Sequence, residues 1–128
     1  MLPITSVYTS VLALIFLAVS WRVIMFRRGN KVSLGDGDSK DLRQRIRAQG
    51  NFIEYTPLAL ILLACIELQG APAIAIHILG LMLLIGRALH ARAFWVHPMI
   101  MPFRFYGMLL TLLMILFSAV GLLLHAVF

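Results

Sequence analysis

The stretch Arg47-Ala48-Gln49-Gly50-Asn51-Phe52-Ile53-Glu54-Tyr55-Thr56-Pro57 leads directly into Leu58-Ala59-Leu60-Ile61-Leu62-Leu63-Ala64-Cys65-Ile66, a run without a charge. On a helix Arg47, Asn51, Glu54 and Tyr55 fall at i, i+4, i+7 and i+8 and project from one side. Set against the apolar run behind it, that side reads as a polar seam entering a bilayer. A guanidinium, a carboxamide and a carboxylate at such a depth are costly unless they face one another, a neighbouring helix or a polar ligand. The seam is therefore a candidate site, and the competing reading is an internal ion-pair network that joins helices.

The rest of the chain supports the membrane reading. Of its 128 residues 62% are hydrophobic and only 12% charged, and the mean hydropathy of +0.97 is too high for a soluble domain of this size. The net charge of +6 does not point to nucleic acid, because all 11 Lys and Arg fall in two blocks, Arg22 to Arg47 and Arg87 to Arg104. The intervening Gln69-Gly70-Ala71-Pro72 turn has none, which is the charge pattern of cytoplasmic loops and uncharged outer turns. The single cysteine, Cys65, excludes an intrachain disulfide and reads as a small buried hydrophobe.

Four membrane helices are predicted, over about 4–26, 41–68, 73–94 and 103–126, forming one domain across residues 1–128. Met1 to Ser10 lacks the basic start of a signal peptide, and positive charge follows the apolar run at Arg22, Arg27 and Arg28. Helix one is accordingly retained, with the N-terminus outside. Asp38 or Ser39 is placed to cap helix two, Asp41 suits its first turn, and Pro57 is expected to kink it just past the seam by freeing the Ile53 carbonyl. Gly70 suits a helix C-cap and Pro72 the first turn of helix three. In helix four Gly107, Thr111, Ser118 and Gly121 allow close approach to neighbours. The architecture is an all-α, up-down-up-down bundle, with both termini outside and both basic loops cytoplasmic. Arg27, Arg28, Arg47, Arg87, His90 and Arg104 then gather at one end as an electropositive region. Arg22, Lys31, Lys40, Arg43, Arg45 and Arg92 are read as topology signals and interfacial anchors.

Several guanidiniums beside one carboxylate and an amide match a ligand that carries both carboxylates and an ammonium, since Arg pairs bidentately with carboxylate. Glutathione is such a ligand. The sequence has no Gly-rich phosphate loop, no His-Glu-x-x-His and no Cys pair, so neither nucleotide nor metal chemistry is expected. His77 and His125 lie too far apart along the membrane normal to share a metal and are assigned no role.

The 47–57 stretch resembles the helix-two signature of the MAPEG family, the membrane-associated proteins in eicosanoid and glutathione metabolism. The resemblance extends to Trp21-Arg22-Val23-Ile24-Met25-Phe26-Arg27-Arg28 and to Arg87-Ala88-Leu89-His90, and the short loops are most similar to those of bacterial members. It implies a four-helix protein of a bacterial inner membrane that forms homotrimers, with glutathione as co-substrate between subunits on the cytoplasmic side. By position it assigns glutathione contacts to Arg47, Asn51, Glu54 and Tyr55, to Arg27 or Arg28, and to Arg87 and His90. Arg104 matches an arginine associated with the thiol. Phe94 and Phe105 stand where related proteins carry Tyr or Ser, and so remove hydroxyl donors.

The implied activity is that of a transferase or peroxidase acting on hydrophobic electrophiles dissolved in the bilayer, with Arg104 stabilising the thiolate. The alternative is a non-catalytic protein of the same fold whose seam serves assembly or binds a lipid headgroup.

Overall fold

The apolar blocks form four helices, α1 (Pro3–Asn30), α2 (Lys40–Leu68), α3 (Ala73–Ala93) and α4 (Met101–Val127), each long and apolar enough to cross a membrane. The computed structural model describes every residue from Met1 to Phe128. α1 runs one turn past its expected end, which places Arg27 and Arg28 in its last turn, where cations oppose the helix dipole. It stops when Lys31 enters the left-handed region at φ 54° and the Val32 N–H bonds to the Arg27 carbonyl. α2 is capped by Ser39, whose hydroxyl accepts from the Leu42 N–H at 3.2 Å, and it continues through Pro57.

The α2–α3 turn closes as a Schellman motif. Gly70 sits at φ +78°, its N–H bonds to the Glu67 carbonyl, and the Ala71 N–H reaches back to Ile66. α3 ends one residue short of expectation, with Phe94 as its cap, and α4 begins two residues early with Pro102 in its first turn.

α2 and α3 form the centre. Each touches the other, α1 and α4, whereas α1 and α4 make no contact with each other. The core between them holds Tyr8, Leu12, Phe52, Leu63, Leu83 and Met114. Because lipid tails are as apolar as leucine, close backbone approach does much of the work of helix association in a bilayer. It occurs here where α3 crosses α4. A Cβ added to Gly107 would lie 2.7 Å from the Gly86 carbonyl oxygen and 2.7 Å from the His90 nitrogen. Thr111 is buried in the same interface against Gly86 and Ser118 is buried further along α4, but Gly121 is exposed and meets nothing.

Two polar clasps hold the ends. At the end with both termini, the Glu67 carboxylate accepts from the Ile4 and Thr5 N–H groups at 2.9 and 2.7 Å and so caps α1, which has no side-chain cap of its own. Nearby, the Tyr8 hydroxyl lies 3.0 Å from His77 Nδ1, giving His77 a packing role. At the other end Arg22 donates to the Phe94 and Trp95 carbonyls at 3.2 and 2.7 Å and stacks over the Trp95 ring. Arg45 pairs with Asp41 and donates to the Arg22 carbonyl. These two arginines are inter-helix ties as well as charge signals. Cys65 corrects the sequence reading: it is exposed on the outer surface of α2, not buried.

Candidate active site

The basic end holds a half-open cavity of about 510 Å³. One stripe of α2 forms its longest wall, because Lys40, Gln44, Arg47, Asn51 and Tyr55 recur every three or four residues on one helical face, with Arg43 beside them. α3 and the loop after it add His90, Phe94, His97 and Met99, and α4 adds Arg104 and Met108. No carboxylate lines the cavity, and its four cations, Lys40, Arg43, Arg47 and Arg104, make it electropositive and chemically suited to anionic groups.

Arg47, Asn51, Tyr55, His90 and Arg104 are thus brought together as the sequence suggested. Glu54 is not on this wall. It turns to the exposed side of α2 and pairs with Arg47 at 3.3 Å, with both side chains about half exposed. Arg27 and Arg28 are also apart from the cavity. Arg27 donates to the Gly35 carbonyl at 2.7 Å, and Arg28 is exposed at the end of α1. The electropositive region expected from six residues is, within one chain, built by a different set that includes Lys40 and Arg43. Their place in the α2 stripe was visible in the spacing.

Arg87 lies behind the wall. It is 1% exposed and has no carboxylate partner. Its Nη1 donates to Asn51 Oδ1 at 2.7 Å, Nε to Thr111 Oγ1 at 3.1 Å and Nη2 to Met108 Sδ at 3.2 Å, and the guanidinium lies 5.9 Å from the Tyr55 ring centroid. Thr111 can receive that bond because its own hydroxyl proton goes to the Gly107 carbonyl. With Asn51 Oδ1 committed to Arg87, the donors of this cavity-lining amide are its Nδ2 N–H groups.

His90 is buried, stacked on Phe94 with ring centroids 4.6 Å apart, and backed by Gly107. Phe94 in turn lies under the Arg104 guanidinium at 5.6 Å. Arg104 itself is exposed, and beyond the Phe94 ring it meets only Met99 Sδ at 3.5 Å, with no carboxylate paired to it, so its charge is free to meet a ligand. Phe105, in contrast, is 62% exposed and packs edge-on against Tyr106, outside the cavity.

Gln44 and His97 escaped the sequence reading. Gln44 Nε2 donates to the Phe94 and Val96 carbonyls at 3.2 and 2.5 Å, and Gln44 Oε1 lies 3.0 Å from His97 Nδ1. This fixes the loop that forms the cavity's rim. A glutamine otherwise out of place among arginines was the available signal.

Outside the cavity, Asp36 accepts from Arg43 Nε at 2.7 Å, and that bond holds its carboxyl below the usual carboxylate range. Arg43 is therefore tethered to the 31–39 loop while lining the cavity.

The MAPEG family's sequence model matches residues 5–124. The proteins called inner membrane protein YecN in two Escherichia coli strains are each 35% identical over 105 residues, covering 82% of this chain and 79% of the relative. No solved structure matches significantly.

Proposed function

Since the chain belongs to the MAPEG family, we propose that it is a glutathione-dependent transferase or peroxidase of a bacterial inner membrane, acting on hydrophobic electrophiles that reach it through the bilayer. The observation that carries this reading is the cationic cavity itself, with Arg47, Asn51, Tyr55, His90 and Arg104 on its wall and no carboxylate among them. The glutathione carboxylates pair with the arginines, and the Asn51 amide donates to a backbone-like carbonyl of the tripeptide. A thiol with an ordinary pKa of roughly 8.5 is only a few per cent ionised at neutral pH. Arg104, always protonated, supplies the charge that stabilises the thiolate. In a homotrimer, Arg27, Arg28 and Glu54, which lie off the cavity of their own chain, are the groups a neighbouring subunit contributes, Glu54 answering the ligand's ammonium.

Glutathione binding in detergent tests the reading. At a concentration near 100 times Kd, a ligand specific to the folded state stabilises it by about 2.7 kcal/mol, a readily measured rise in Tm. No rise at millimolar glutathione, with the oligomer intact, removes the assignment's main support.

One observation favours the non-catalytic alternative: the Arg47–Glu54 pair is already made within the chain and remains about half exposed, open to an assembly contact. Arg47→Ala and Glu54→Gln discriminate. If both leave glutathione affinity unchanged and break the oligomer, the seam serves assembly.

A further inference from the structure

Thiolate formation needs a place for the thiol proton, and none of the four cations on the wall accepts one. We infer that His97, on the cavity rim, is the proton acceptor of this site, an inference that rests on the glutathione reading above. The tautomer of His97 is set by Gln44. Gln44 Nε2 faces two carbonyl oxygens, those of Phe94 and Val96, at 3.2 and 2.5 Å. A flipped amide would set its oxygen against both, so the amide orientation is dictated by the loop. Gln44 Oε1 is then an acceptor only, and His97 Nδ1, 3.0 Å away, must be the donor. A neutral imidazole with its proton on Nδ1 carries a bare lone pair on Nε2. Gln44 thus does for His97 what a hydrogen-bonded orienting group does for a general base: it selects the tautomer and holds the ring.

His97 is also open to the cavity. It is exposed and lines the same wall as Arg104. The charged groups that share the cavity with it are Lys40, Arg43 and Arg47 from α2 and Arg104 from α4, and Asp41, which interacts with it from the start of α2, is already paired with Arg45. Arg22 from α1 is spent on the Phe94 and Trp95 carbonyls. His90, the other imidazole on the wall, is buried against Phe94 and Gly107 and is far less accessible.

The step balances within the site. The S–H bond breaks, its proton forms an N–H bond at His97 Nε2, and the electron pair stays on sulfur beside Arg104. In the imidazolium so formed, the Nδ1–H bond to Gln44 Oε1 becomes charge-assisted and stronger. With an activated alkene as electrophile, the sulfur pair forms the C–S bond, the displaced π pair takes the proton from Nε2, and His97 returns neutral.

The test uses the full chain in detergent or nanodiscs and needs no electrophile. Thiolate absorbance is followed by stopped flow after mixing with glutathione, and binding is measured separately with S-methylglutathione, which has no thiol proton. His97→Ala should slow thiolate appearance by about a hundredfold or more, the lower end of the roughly 10²–10⁴ range of general base catalysis, while leaving S-methylglutathione affinity within about twofold. Added imidazole should restore the rate in proportion to its free-base concentration, which a purely structural loop residue would not allow. Unchanged thiolate formation in His97→Ala overturns the inference, as does a slowing that imidazole leaves untouched. Wild-type protein that binds neither glutathione nor its S-methyl form overturns the glutathione reading and this inference together. Wild-type protein that binds glutathione without forming thiolate overturns this inference and the thiolate role of Arg104, while glutathione binding at the site stands.

Discussion

Arg87 Nη1 and Asn51 Oδ1 lie 2.7 Å apart, and this bond joins a cation that is almost wholly buried to an amide on the cavity wall. Removing the acceptor leaves the guanidinium short of a partner where water does not reach it. Asn51→Leu should therefore destabilise by about 1.5–3 kcal/mol, the range for hydrogen bonds to charged groups. Arg87→Met removes the charge together with its desolvation cost. The double variant should accordingly lose less stability than the sum of the singles, a coupling read from a thermal or denaturant double-mutant cycle in micelles. Strict additivity would mean that the two residues are not energetically linked.

Gly107 and Gly121 occupy the same helix and should respond oppositely to one methyl group. At Gly107 the added Cβ meets backbone atoms of α3 at 2.7 Å, and neither can swing aside as a side chain would. Gly107→Ala should separate α3 from α4 and cost about 1–3 kcal/mol. At Gly121 nothing lies within 4 Å, and the better helix propensity of alanine should make Gly121→Ala neutral or stabilising by up to about 1 kcal/mol. Paired melting curves measure both.

Glu67 provides the α1 cap from another helix. Glu67→Ala should cost about 0.5–2 kcal/mol, the usual range for losing an N-cap, and should speed amide exchange at Ile4 and Thr5, its two donors. Equal exchange rates in the two proteins would show that the cap contributes nothing.

For Arg104, bound thiol chemistry is the readout. Arg104→Ala should raise the pKa of bound glutathione by about one to two units, on the order of 2 kcal/mol of lost thiolate stabilisation. Turnover should fall more than binding, because Asn51 and Arg47 remain. A thiolate titration with an unchanged midpoint would remove Arg104 from the mechanism.

The charge distribution also predicts orientation. A reporter fused after Phe128 should be active outside the cytoplasm and one inserted near Gly35 inside it. The reverse pattern would place the cavity where cytosolic glutathione does not reach.

The number of helices, their approximate ends and the turns between them follow from local signals: apolar length, the Ser39 cap, Gly70 at positive φ, and Pro102 at the start of α4. One stripe of the cavity wall follows too, because Arg47, Asn51 and Tyr55 must share a helical face whatever surrounds them. Helix rotation is different. In a membrane protein the lipid-facing and core-facing sides are both apolar, so hydropathy says little about which side turns inward. Tertiary packing therefore decided that Cys65 faces out, that Glu54 leaves the wall and that Arg87 sinks behind Asn51. It alone brought together residues far apart in the chain, Glu67 with Ile4 and Gln44 with His97, since such bonds depend on helix ends meeting in space.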